Sequence, residues 1–157
     1  MLYRLYQPND FSQLYAIETE CFPPPVRFPK GYMHELLANR RAAVWVAVED
    51  VGPAAGELAG FAIVDWRRGV GEALAYIETL EVAPKFRRQG IGRGLLLRVI
   101  RSASNADASS LWLHVAEEND AAQGLYLAHE FVAQGREENY YTLGNHAAVY
   151  ARALGPC

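Results

Sequence analysis

The densest group of side chains able to do chemistry lies between Tyr76 and Gly94: Tyr-Ile-Glu-Thr-Leu-Glu-Val-Ala-Pro-Lys-Phe-Arg-Arg-Gln-Gly-Ile-Gly-Arg-Gly. It reads as a strand, a basic glycine-rich loop and the start of a helix. Glycines let the backbone approach a ligand closely, and the first-turn N–H groups of a helix have no intrahelical partner, so such a segment can cradle a phosphate. Six of the fifteen Lys/Arg residues, Lys85, Arg87, Arg88, Arg93, Arg98 and Arg101, fall within 17 residues here, which suits a small anionic ligand. Leu95 follows Gly94 and breaks a GxGxxG fingerprint, and no Gly-Lys-Ser/Thr completes a P-loop, so neither of those nucleotide sites is present. The bland alternative is a tight strand-to-helix turn with a solvated basic face.

The elements that must position this segment follow from periodicity. Leu2 to Tyr6 alternates as a strand, and Asn9 and Asp10 offer N-cap side chains for a helix to about Phe22, with Leu14, Ile17 and Cys21 at helical spacing. Pro23, Pro24 and Pro25 must end it. A short helix from about Gly31 to Leu37 precedes two apolar strands, Val44 to Glu49 and Leu58 to Asp65, joined by the breaker-rich stretch from Gly52 to Gly56. Ala73 to Val82 pairs with the second of these. After the basic loop, Ile91, Leu95, Leu96, Val99 and Ile100 share one helical face. Leu111 to Val115 is the next strand, Asn119 and Asp120 can cap a helix through Ala128, and strands near Phe131 to Arg136 and Ala147 to Arg152 close the chain. The order is β-α-α-β-β-β-α-β-α-β-β, without repeats or linkers.

With 157 residues and 51% hydrophobic content, a single domain spanning residues 1–157 is expected. A net charge of −3 argues against a general nucleic-acid binder. Cys21 and Cys157 fit neither a metal site nor a CxxC motif, so free thiols, no metal and a reducing compartment are expected. With no leader-like or membrane-spanning stretch, the expectation is a cytoplasmic protein, monomer or homodimer, without membrane or nucleic-acid partners.

Two segments carry a family resemblance. Arg87-x-x-Gly90-x-Gly92, preceded by Leu-Glu-Val-Ala-Pro, resembles the Arg/Gln-x-x-Gly-x-Gly/Ala signature of the GNAT superfamily of N-acetyltransferases. Asn119-Asp-Ala-Ala-Gln-Gly-Leu-Tyr126-Leu-Ala-His-Glu-Phe131 resembles that family's Asn-x-x-Ala-x-x-Leu-Tyr-x-x-x-Gly-Phe segment, departing from it where Glu130 stands for the usual Gly. The resemblance implies an α/β GNAT fold, a mixed central sheet of about seven strands flanked by about four helices. It also implies acetyl-CoA as cosubstrate, held by Leu80, Val82, Arg87, Arg88, Gln89, Gly90, Ile91, Gly92, Arg93, Asn119 and Tyr126. Transfer would then be direct, through a tetrahedral intermediate met by a backbone N–H near Leu80.

An amine must be neutral to attack a thioester, and His114 is of the type that moves protons near neutrality. Tyr76-Ile-Glu-Thr-Leu and Leu-His114-Val resemble the strands that carry a Tyr/His pair in N-terminal acetyltransferases of the initiator-methionine type. Ribosomal-protein alanine acetyltransferases have a Glu at the position of His114. Tyr126 would hydrogen-bond the leaving thiolate, because a phenol of pKa near ~10 does not readily give its proton to a thiol near ~8.5. Phe22-Pro23 and Asn139-Tyr140-Tyr141, the latter expected between the last two strands, resemble the loops that pin a peptide N-terminus, and Glu78 has the strand phase to join them. Each residue also has a structural role open to it: a hydrogen-bonded sheet histidine, packed tyrosines, a solvated or ion-paired Glu78. The expected acceptor is a protein or peptide N-terminus, the alternatives being a small amine such as a polyamine or antibiotic, or a noncatalytic CoA-binding sensor.

Overall fold

Alternating and continuous apolar runs build one sheet, described in a computed structural model that covers residues 1–155; Cys157 lies outside the described residues. The strands are β1 (Leu2–Leu5), β2 (Ala42–Val48), β3 (Leu58–Arg68), β4 (Ala73–Val82), β5 (Ser110–Ala116), β6 (Val132–Thr142) and β7 (Asn145–Ala153). The helices are α1 (Phe11–Cys21), α2 (Lys30–Ala38), α3 (Ile91–Asn105) and α4 (Asp120–Leu127). The sheet order is β1-β2-β3-β4-β5-β7-β6. Among the described residues only β4 and β5 pair in parallel, and α3 supplies the crossover such a pair requires. β3 is buried from Leu58 to Asp65, as a strand covered on both faces must be.

The amphipathic α3 buries Ile91, Leu95, Leu96, Val99 and Ala103 against β2, β3 and β4. Gly60 permits that approach: a Cβ there would stand 2.5 Å from the Glu81 carbonyl and 3.2 Å from Leu95 Cδ1. Part of the basic cluster is structural, since the Arg98 guanidinium lies 3.9 Å over the Tyr3 ring and donates to the Gly94 carbonyl.

The expected side-chain cap of α1 is absent. Asp10 holds the N-cap position, but its carboxylate accepts two hydrogen bonds from Arg4 and one from the Gln7 N–H, and Asn9 lies in a preceding 3₁₀ turn. A charge-assisted bidentate pair outcompetes a single capping bond. Glu130, where the sequence lacks the expected Gly, adopts φ 67. That conformation costs a non-glycine residue roughly 1–2 kcal/mol, and Arg152 holds the turn by bonding the His129 carbonyl and pairing with Glu130 at 3.2 Å.

The largest departure from expectation is at the last hairpin. Tyr140 and Tyr141 do not lie in a loop between strands, because β6 runs on to Thr142. The register passes from Glu137↔Ala147 directly to Thr142↔Asn145, so four β6 residues oppose one of β7 and arch out of the ladder. Asn139 makes the arch at φ 55, its side-chain oxygen accepting from the Gly144 N–H and its own N–H donating to His146 Nδ1. Asn tolerates left-handed backbone, and bulges of this kind redirect side chains. Among the described residues no helix is long and apolar enough to cross a membrane.

Candidate functional site

β4 and β5 stay paired only from Leu74–Ile77 against Ser110–Leu113. On its other side β4 has a bulge: Val64 faces Ile77 and Ile63 faces Thr79, leaving Glu78 as the extra residue. Bulges bend a strand, and just here β4 and β5 part around a cavity of about 460 Å³. Phe22, Pro23, Tyr76, Glu78, Leu80, His114, Asn119, Tyr126, Tyr140 and Tyr141 all line it. Ten expected site residues from five separate segments therefore meet at one cavity. Phe22 is extended beyond the end of α1, and the loop it opens is tied back by Tyr15 to the Phe28 carbonyl and by the Phe28 N–H to Glu18.

Inside, the polar groups form a chain. His114 Nε2 lies 2.9 Å from Glu137 Oε1 and Nδ1 lies 2.7 Å from the Tyr76 hydroxyl. A carboxylate can only accept, so Nε2 carries the proton and Nδ1 accepts from Tyr76. Tyr140 stacks on the imidazole at 4.1 Å with planes 5° apart, and its hydroxyl is 3.4 Å from that of Tyr76. Burial, and then Tyr140, push the Tyr76 phenol far above its ordinary value, so it stays protonated. Burial does the same to Tyr126, which is 5% exposed and has its ring edge-on to Phe131.

The remaining expected residues form the mouth beside the cavity. Arg88 and Gly90 adopt φ 63 and 78, and a Cβ on Gly90 would meet open space. The first α3 N–H to reach a backbone carbonyl is that of Gly94, at 3.1 Å from Gly90 O, which leaves the donors of Ile91, Gly92 and Arg93 for a ligand. Gly92 sits close to Leu80, Val82 and Leu125, so this mouth and the cavity share a wall. Asn119 caps α4 through the Ala122 N–H. Arg87, Arg88, Gln89 and Arg93 are exposed, and Arg87 folds back onto the Val82 carbonyl and the Cys21 sulfur.

Besides Glu78, four carboxylates stand near the site that the sequence pattern does not single out: Glu137, Glu18, Glu81 and Asp65. Nothing in the sequence pattern points to Glu137 as the partner of His114. Glu18 and Glu81 are 1% and 3% exposed, each with an Oε1 that has no partner among the described residues. Burial, and then Glu18 beside it, hold the Glu81 carboxyl well above its ordinary range. Asp65, 4% exposed, lies beside Glu78, and burial followed by that neighbour pushes Glu78 up to about 8 despite the opposing charge of Arg67. Burial also lifts the Cys21 thiol to about 11, which removes it as a nucleophile at neutral pH. No cluster of three His, Cys, Asp or Glu suited to a metal occurs among the described residues.

Comparison with known proteins places this architecture. Residues 11–131 match the model of the acetyltransferase (GNAT) family. The chain is 28% identical over 162 residues to the histone acetyltransferase MCC1 of Arabidopsis thaliana, a match covering 92% of this chain and 65% of that protein. It is 35% identical over 86 residues to the ribosomal protein bS18-alanine N-acetyltransferase of Escherichia coli, covering 55% of each. The chain thus covers less than two thirds of either relative. Its fold resembles that of Arabidopsis thaliana NAA60 in complex with a bisubstrate analogue, with a TM-score of 0.87 at 22% identity and 99% of both chains covered.

Proposed function

The chain belongs to the acetyltransferase (GNAT) family, and from that premise we propose that the protein transfers the acetyl group of acetyl-CoA to a primary amine, the N-terminal α-amino group of a protein or peptide. The observation that carries this reading is the Glu137–His114–Tyr76 hydrogen-bond chain at the mouth of the β4–β5 fork. The residues present fit acetyl-CoA: Gly90 leaves open space at its Cα, and three amide donors at the start of α3 have no backbone partner. Leu80, Val82 and the segment Arg87–Arg93 would hold it, with Asn119 and Tyr126 on the far wall. Acetyl-CoA supplies the thioester-activated acetyl group.

The chain's own groups manage the protons. An α-amino group of pKa near ~8 needs modest help to lose its proton. Tyr76 is too well protonated to act as a free phenolate, so its hydroxyl accepts a proton, directly or through water, only as it passes its own to His114 Nδ1. The Glu137 carboxylate then faces an imidazolium, which it stabilises. Beyond Ile77 the edge of β4 facing β5 has no strand partner, so a backbone N–H near Leu80 can meet the oxyanion. Tyr126 keeps its proton and donates a hydrogen bond to the leaving sulfur. Transfer is read as direct, and Cys21, held as a thiol, offers no nucleophile for an acyl-enzyme.

The acceptor assignment draws support from two features. Relatives include enzymes named for histone and ribosomal-protein acetylation. A second cavity of about 430 Å³ also continues from Tyr76 and His114 along Ala75, Leu74 and Trp112, giving room for residues beyond the first. Incubation with acetyl-CoA, peptides beginning Met, Ala or Ser, and an N-blocked peptide with an internal lysine, with release of CoA thiol as readout, tests the reading. Turnover confined to free N-termini is expected. Turnover of the internal lysine alone, or of no peptide, would overturn it.

A further inference from the structure

The cavity beyond the Tyr76–His114 pair has an acidic wall that the acetyl-transfer chemistry does not use. Asp65 on β3 and Glu78 on β4 stand side by side there, under Tyr32 of α2, Tyr76, Trp112 of β5 and Tyr140. Asp65 is only 4% exposed, yet among the described residues its Oδ1 has no hydrogen-bond partner. A buried carboxylate oxygen without a partner costs free energy unless something else meets it. Two adjacent carboxyls repel as dianions, and aromatic faces around them attract a cation further. Arg67, the cation lining this cavity, is exposed; its charge acts on Glu78, but it forms no salt bridge with either carboxylate among the described residues.

Resting on the acetyltransferase reading above, we propose that this cavity binds a second positive charge carried by the acceptor: the ammonium or guanidinium of a Lys or Arg side chain just after the acetylated N-terminus. The cation offsets the repulsion between the two carboxyls, and the aromatic walls cover its alkyl stem. The cavity opens directly from Tyr76, Glu78, His114 and Tyr140, which also line the reaction cavity, so one acceptor can fill both. An ammonium tethered a few bonds from the reacting amine is the shared chemistry, and a free polyamine could present it too.

The test is a peptide series with a fixed first residue and Lys, Leu or Glu at the second and, separately, the third position, alongside spermidine, assayed with wild type, Asp65→Asn and Glu78→Gln. The ratio of kcat/KM for Lys over Leu is read within each protein, so partial loss of folding in one variant cancels. A ratio of roughly ten or more in wild type, carried mostly by KM and falling towards one in either variant, is expected. A wild-type ratio near one, or a preference for Glu, overturns the proposal while leaving peptide acetylation standing. Turnover of spermidine but of no peptide, lost in the variants, supports the cation site and overturns the peptide reading. Silence on all acceptors with acetyl-CoA still bound overturns both.

Discussion

Tyr76→Phe separates a proton relay from a packing role. The substitution keeps the ring, which sits edge-on to His114 at 5.7 Å, and deletes only the hydroxyl that contacts His114 at 2.7 Å and Tyr140 at 3.4 Å. If that hydroxyl merely fixed the histidine, its loss would cost one hydrogen bond, about 0.5–1.5 kcal/mol, or roughly a tenfold effect at most. If it relays the proton of the attacking amine, the loss approaches the 10²–10⁴ that positioned acid–base groups contribute, about 3–5 kcal/mol of barrier. We expect kcat to fall roughly a hundredfold or more, with acetyl-CoA affinity by calorimetry changed little, since the α3 mouth does not include this residue. His114→Gln should fall similarly, and the double variant should be no worse than either single one, because residues acting as a unit are not additive. A loss smaller than tenfold, or two losses that multiply, would refute the relay.

Glu137 is 55% exposed, so its pairing with His114 is partly screened. Glu137→Gln should lower kcat about two- to fivefold and Glu137→Ala more, with acetyl-CoA affinity unchanged in a binding titration. Gly90→Val places a β-branched residue at φ 78 in the anion mouth, and should weaken acetyl-CoA binding at least about tenfold by calorimetry. Stability should also depend on pH in an identifiable window. Glu78 holds its proton in the folded state up to about 8 but from the ordinary 4.5 upward loses it when unfolded, so its contribution is full below that range and lost as pH rises through it. Melting temperature should therefore decline between these values, and Asp65→Asn should flatten the decline. Asp10 and Glu117, held low by hydrogen bonds from Arg4 and Arg136, lose stability in the opposite direction and at lower pH, whereas Glu81, also held up by burial, adds to the same decline, so the difference made by Asp65→Asn is what reports Glu78.

Much of the molecule could be read from the chain because local rules and tertiary packing agree. The apolar face of α3, the continuous β3 run and the three prolines after α1 each fix an element by periodicity or by a missing backbone donor, and the element order follows. The open start of α3 after Arg88 and Gly90 is legible in the glycine-rich loop before it, because φ > 0 and a free first helical turn are properties of a few consecutive residues. Asp10 shows the limit of that logic: it was read as a cap, but Arg4, six residues earlier, holds its carboxylate.

What the sequence could not supply depends on register. Glu137, 23 residues beyond His114, becomes its partner only because β7 lies between β5 and β6 and sets their alignment. The arch that swings Tyr140 over the imidazole arises from a four-to-one mismatch around Asn139, a shift that composition does not encode. The same holds for Glu78 and Asp65, brought side by side by the β3–β4 bulge. Periodicity determines which face a side chain takes, but the neighbour across a strand is chosen by pairing and bulges. The sequence therefore determined the family's scaffold and ten of the residues that line the cavity, while the hydrogen-bond chain and the acidic wall were decided by tertiary structure, because hydrogen bonds a few ångströms long demand an alignment that no single strand carries.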